Sequence, residues 1–165
     1  MVAAATGASS CPARTPQGEG PLNVLVVEDE AIVAVELGLA VEDAGHRVAD
    51  VAGDLKEAME AAERQPIDIA LVDINLRDGR TGLQIATRLT REHGVSVIFM
   101  TANADLAPPS FPDALGLYPK PYDPAAVVEL IGYAADVRRN RPGARPPRRF
   151  RMADWLKAQS GQIER

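Results

Sequence analysis

Residues 67–73 read IDIALVD, an apolar run that stops on a carboxylate, and residues 74–82, INLRDGRTG, lead from it into a helical pattern. Leu22 to Val27 does the same upstream: apolar except for Asn23, it halts on Glu28, Asp29 and Glu30. Val95 to Met100 does so downstream and halts on Thr101. Valine- and isoleucine-rich runs without polar alternation are the mark of strands buried on both faces of a parallel sheet. The stretches between them carry helical spacing. From Ala31 to Ala44, Ile32, Val35 and Leu39, with Val33, Leu37 and Val41, suit a helix stopped by Gly45. After a short strand near Arg47 to Val51, Asp54 and Glu57 stand at capping-box spacing, Ala58, Met59 and Ala62 share a face, and Pro66 closes the helix. Leu83, Ile85, Ala86 and Leu89 mark a third helix after the Gly79 to Gly82 turn.

Residues 102–113 hold Pro108, Pro109 and Pro112, so any helix there is short or broken. A weak strand at Ala114 to Tyr118 precedes Lys120, and Asp123 with Pro124 opens a last helix through Val137. Strands alternating with helices predict right-handed β-α-β units, a doubly wound α/β fold with a five-stranded parallel sheet covered on both faces. In such sheets ligands bind outside the carboxyl ends of the strands. The residues that end them here are Glu28 and Asp29, Asp73, Thr101 and Lys120.

At 165 residues and 46% hydrophobic composition the chain supports one core. Residues 1–20, rich in Ala, Gly, Ser, Thr and Pro, read as a disordered leader, and Cys11 within it, the single cysteine, excludes an internal disulfide. No apolar run approaches the roughly 20 residues of a membrane span, so a soluble, cytoplasmic protein is expected. Net charge is −5, but Arg138, Arg139, Arg141, Arg145, Arg148, Arg149 and Arg151 fall together without an acid. Setting these 7 aside leaves 11 basic against 23 acidic residues, a remainder of −12. An acidic body at 21–138 thus precedes a basic tail at 139–165, in which Met152, Trp155, Leu156 and Ile163 suit a short amphipathic helix docked on the domain or on a partner. The arginines read equally as a solvated linker or as a contact to acidic partners or nucleic acid; with fewer than 30 residues after the body, a usual DNA-binding effector domain is not expected.

Taken singly, Glu28 and Asp29 suit a helix N-cap, Asp73 and Thr101 suit loop caps, and Lys120 suits the surface. Their joint arrival at one sheet edge reverses that. Three carboxylates brought together repel unless a hard cation compensates them, which predicts Mg²⁺ held by Glu28, Asp29 and one oxygen of Asp73, with the backbone carbonyl of Asn75. The other Asp73 oxygen is then a nucleophile toward phosphorus, with Lys120 offsetting charge and the Thr101 hydroxyl donating to a phosphoryl oxygen. A cis bond at Lys120-Pro121 would aim the lysine into the site. Asp68 and Asp78 read as surface or turn residues, and His46 and His93 as helix-terminus residues.

VVEDE, LVDINLRDG, MTA and PKPYD, in this order at predicted strand ends, resemble the signature segments of response-regulator receiver domains over roughly residues 21–138. The resemblance implies the flavodoxin-like strand order 2-1-3-4-5, which the chemotaxis receiver shares. It also implies that a sensor histidine kinase or a histidine phosphotransfer protein donates a phosphoryl group to Asp73, that Mg²⁺ is the cofactor, and that the output is phosphorylation-dependent binding of another protein. Such a domain catalyses only its own phosphorylation and dephosphorylation. A phosphate sink or relay and a non-phosphorylated protein-binding module are the competing readings, and a homodimer stays open. Two departures stand out. The position three before the lysine, often an aromatic switch in this family, is Leu117, with Tyr118 beside it, and the segment before Lys120 is short and proline-rich. In this the chain is similar to an atypical stand-alone receiver subgroup of alphaproteobacteria.

Overall fold

A computed structural model describes residues 20–161; Cys11, Ile163 and nearly all of the expected leader lie outside the described residues. The buried runs form β1 (Asn23–Val27), β3 (Ile69–Asp73) and β4 (Ser96–Thr101), joined by β2 (Arg47–Ala52) and β5 (Gly116–Pro119). Helices α1 (Ala31–Asp43), α2 (Leu55–Arg64), α3 (Gly82–His93) and α4 (Pro124–Arg138) alternate with them. The strands stand in the order β2-β1-β3-β4-β5, all parallel, the flavodoxin-like order anticipated above. Val24 to Val27 and Ile69 to Val72 are essentially inaccessible, because α1 with α4 and α2 with α3 cover the sheet. Each fully buried Val, Leu or Ile contributes about 1.5–3 kcal/mol relative to exposure, so these unbroken runs dominate the stabilisation.

Between β4 and β5 the prolines leave a single 3₁₀ turn, Ala104–Leu106, in place of a helix. The tail adds a strand that no periodicity announced, followed by a short helix of the kind its apolar residues suggested. Residues Arg151–Met152 form a sixth strand, β6, antiparallel to β5, and Asp154–Gly161 form α5. The five-stranded parallel sheet is therefore a six-stranded sheet with one antiparallel edge. Two paired residues leave too short a pattern to read, and arginine is not a typical strand residue.

Local chemistry explains most boundaries. Asp54 caps α2, its Oδ1 accepting from the Glu57 amide at 2.8 Å. The return bond of the expected capping box lands one residue early: Glu57 accepts from the Gly53 amide at 2.7 Å, because Arg77 from the β3–α3 loop binds both Asp54 and Glu57. Asp123 caps α4 through the Ala126 amide at 2.8 Å.

The amino ends of the strands correct one reading and extend another. Asp68 is buried rather than at the surface: it accepts from the Asn23 amide at 2.9 Å and faces Arg138 at 3.5 Å. That draws Arg138 out of the basic tail and into the domain. His46 stands at the end of α1 as expected, its amide donating to the Val41 carbonyl at 3.1 Å, and its Nδ1 also serves the chain entering β1 by accepting from the Leu22 amide at 3.2 Å.

Burial, followed by the nearby Arg139 and against Asp68, lowers the pKa of His46 from its ordinary value. The unfolded chain therefore binds this proton more tightly than the folded one. Stability from neutral His46 is complete above the unfolded value of about 6.5 and is lost as pH falls toward the lowered folded value. Thermal melts taken from about pH 7.5 down to about pH 5.5 are expected to fall more steeply for the wild type than for His46→Gln. Parallel slopes would show that His46 does not report this linkage.

Candidate functional site

Asp73 ends β3, and the chain turns sharply behind it. Gly82 opens α3 directly against that turn: a Cβ there would run into the Asp73 carbonyl oxygen and stand 2.6 Å from the Ile74 Cα, while the Gly82 amide donates to the Ile74 carbonyl at 3.2 Å. The glycine is what lets the helix seat so close to the acidic residue.

The Asp73 carboxylate is held from two sides. Its Oδ1 accepts from the Asn75 amide at 3.1 Å, and its Oδ2 accepts from Lys120 Nζ at 2.8 Å. The same ammonium donates to Glu28 Oε2 at 2.7 Å, and Glu28 Oε1 accepts from the Glu30 amide at 3.1 Å. The side chains of Glu28, Asp73 and Lys120 are only 1%, 10% and 14% exposed, so this is a buried ion triad and not a surface pairing. Lys120 is delivered by β5, its backbone amide donating to the Thr101 carbonyl at 2.8 Å, and the Lys120-Pro121 bond is cis, as the sequence suggested.

Burial raises the Glu28 pKa, an effect that hydrogen bonding to Lys120 only partly offsets. Burial acts on Lys120 in the opposite sense, but its bonds to Asp73 and Glu28 prevail and hold its pKa above the ordinary lysine value. The ammonium is therefore charged at neutral pH. Next to it, burial pushes the Tyr122 phenol up to about 12.

The expected site residues converge, with one difference. Glu28, Asp73 and Lys120 meet directly, Thr101 and Asn75 flank them, and Asp29 is exposed beside them. Among the described residues no three His, Cys, Asp or Glu side chains are gathered as a ready metal cage. The three-carboxylate cluster read from the sequence is a pair bridged by Lys120 with Asp29 outside it. Thr101 is buried, and its Oγ1 accepts from the Asn103 amide at 3.2 Å, which leaves its O–H able to donate.

Beside Asp73 a cavity of about 240 Å³ is lined by Ile74, Asn75, Arg80, Thr101, Asn103 and Leu106 among others. Sequence reasoning missed Arg80, which reaches across to the Leu106 carbonyl at 3.2 Å. Nothing in its spacing from Asp73 marked it; only the 3₁₀ turn folding over the site brings it there.

A flavodoxin-like sheet with acidic residues, a threonine and a lysine at the carboxyl ends of its strands defines a signalling receiver. The chain belongs to the response regulator receiver domain family, whose model matches residues 24–131. It is 36% identical over 113 residues to the phyllosphere-induced regulator PhyR of Methylorubrum extorquens, a match covering 67% of this chain and 42% of that protein. The receiver domain of Erythrobacter litoralis PhyR superposes with a TM-score of 0.61 at 30% identity, covering 70% of this chain and 91% of that one. The anti-anti-sigma factor PhyR of Bartonella quintana superposes with a TM-score of 0.63 at 28% identity, over 74% of this chain and 51% of that one. The matches to both full-length PhyR proteins thus span about half of those proteins or less. No helix among the described residues is long and apolar enough to cross a membrane.

The raised pKa of Glu28 carries a stability signature. An acid whose folded pKa is raised contributes stability below its unfolded value and loses it as pH rises through the folded value. Ionising Glu28 therefore costs the folded chain more as pH rises, so the melting midpoint of Glu28→Gln relative to wild type is expected to move upward from about pH 4 to about pH 7. Calorimetry of both proteins at the two pH values checks this. A difference between them that is the same at both would contradict it.

Proposed function

We propose that the chain is a phosphoacceptor receiver in which Asp73 takes a phosphoryl group from a phosphohistidine of a sensor histidine kinase or phosphotransfer protein, and that the phosphorylated form signals by binding another protein. The observation that carries this reading is the buried Lys120 ammonium bridging Asp73 and Glu28.

In the transfer, one Asp73 carboxylate oxygen forms a bond to phosphorus. The bond from phosphorus to the donor imidazole nitrogen breaks, and the imidazole leaves with the electron pair. Lys120 is already positioned to meet the oxygens of the incoming group, and Thr101 can turn its hydroxyl toward them. Thr101 also lines the neighbouring cavity, with Ile74, Asn75 and Asn103 on its walls. Burial of the lysine makes its charge more effective than it would be in water.

Glu28 and Asp73 against one ammonium, with exposed Asp29 beside them, leave a net negative charge into which a dianionic phosphoryl group would have to enter. Mg²⁺ ordinarily takes one or two protein carboxylates together with waters and phosphate oxygens, so the donor set here fits it without a complete protein cage. Glu28, Asp29, Asp73 and the Asn75 carbonyl would hold the ion, which when bound supplies compensating positive charge and orients the phosphoryl oxygens. The protein acts on no separate substrate.

A protein rather than a DNA target is supported by the kinship with a relative described as an anti-anti-sigma factor. Intact-mass spectrometry after incubation with Mg²⁺ and acetyl phosphate tests the chemistry. The expected result is a single phosphoryl adduct that depends on Mg²⁺ and is absent from Asp73→Asn. An adduct that persists in the variant, or none on the wild type, would refute the assignment.

A further inference from the structure

The C-terminal segment lies across the edge of β5, the strand that delivers Lys120. Residues Arg151 and Met152 pair with Leu117 and Gly116, and the Ala153 amide donates to the Leu115 carbonyl at 2.8 Å. Phe150 packs edge-on against Tyr133 with ring centroids 5.4 Å apart, Leu156 is buried, and Trp155 Nε1 donates to the Ala114 carbonyl at 2.9 Å. Between β4 and β5 there is only the 3₁₀ turn Ala104–Leu106, and the outer edge of β5 is covered by the tail. An uncovered edge strand is a template for pairing with another chain.

Two details tie the segment to the site. Arg149 donates to the Pro121 carbonyl at 2.9 Å, one residue past Lys120, and its guanidinium lies 5.8 Å from the ring centre of buried Tyr118. Gly116 is the second. It sits inside β5, and a Cβ there would meet the Arg151 carbonyl oxygen and come within 2.6 Å of the Phe150 ring. Its nearest obstacles are all atoms of the tail, so the strand needs a glycine at this position in order to seat the segment.

We infer that residues 149–156 form an intramolecular strap that covers the β5 edge and is loosened when Asp73 is phosphorylated, which uncovers that edge. This rests on the phosphoacceptor reading. In the unphosphorylated site Lys120 is shared between Glu28 and Asp73. A phosphoryl group offers the ammonium more strongly charged oxygens and draws it away from that position. The backbone at 120–121 that carries it is the backbone that Arg149 grips. The strap, held by a two-residue ladder and a few side chains, is the least stable element in that chain of contacts and opens first. By linkage, anything that detaches the strap also favours the phosphorylated form by the same factor.

Trypsin cleavage after Arg151 in the full chain, read by a mass spectrometer that also counts the Asp73 adduct, tests this. Cleavage is expected to be several-fold faster with Mg²⁺ and acetyl phosphate than without. Gly116→Ala, which wedges the strap off, and Arg149→Ala, which removes its clip while leaving every β5 residue unchanged, are expected to be cleaved rapidly in both states. Equal cleavage of phosphorylated and unphosphorylated wild type, or an Arg149→Ala variant as resistant as the unphosphorylated wild type, would overturn the coupling while leaving the receiver chemistry standing. A wild type that forms no adduct would overturn both.

Discussion

A lysine ammonium buried between two carboxylates is the constraint around which this domain is arranged. Taking three charges out of water costs several kcal/mol per ion, and only close hydrogen bonding repays it. The Lys120 contacts to Glu28 and Asp73 supply that, while the amides of Glu30 and Asn75 complete the two carboxylates. Such a triad contributes little to net stability compared with apolar packing. What it provides is a preset field: a charged donor aimed at Asp73 before any phosphoryl group arrives.

The sheet exists, functionally, to hold those ends in register. Glu28 follows β1, Asp73 ends β3, Thr101 ends β4 and Lys120 follows β5, so four residues far apart in sequence share one edge. The parallel ladders between β1 and β3, β3 and β4, and β4 and β5 leave little freedom to their relative heights. The continuous apolar burial on both faces makes a slip costly, because it would break the fit of side chains packed on each side of the sheet. The close seating of α3 at Gly82 fixes the turn after Asp73 in the same way.

How far the sequence reveals all this depends on the length of the pattern. Val24 to Val27 and Ile69 to Val72 are long enough, and followed sharply enough by acids, to disclose both the fold and the site edge. Lys120 was legible only through its neighbours, since a lone lysine ordinarily reads as solvated. Other features needed three dimensions. Asp68 resembles any aspartate after a proline until β1 and Arg138 close over it. Arg80 reaches the cavity only because the 3₁₀ turn folds back, and β6 is two residues long with an arginine in it. The basic run from Arg138 to Arg151 was read as one tail, yet its members take different roles: Arg138 faces Asp68, Arg149 grips Pro121, and Arg151 lies 4.9 Å from the ring centre of Phe111. Charge runs carry no information about which partner each residue finds.

The Lys120 ammonium is also the group whose behaviour decides whether the account holds, and the chain helps by having only Lys56 and Lys157 besides it. The direct measurement is heteronuclear NMR of the lysine Nζ groups, followed through a pH titration and then through conversion of Asp73 to its acyl phosphate. The account predicts that Lys120 keeps its proton above the ordinary lysine range, and that its signal shifts when the phosphoryl group arrives. A Lys120 that loses its proton within the ordinary lysine range, or whose signal is unchanged by phosphorylation of Asp73, would contradict it.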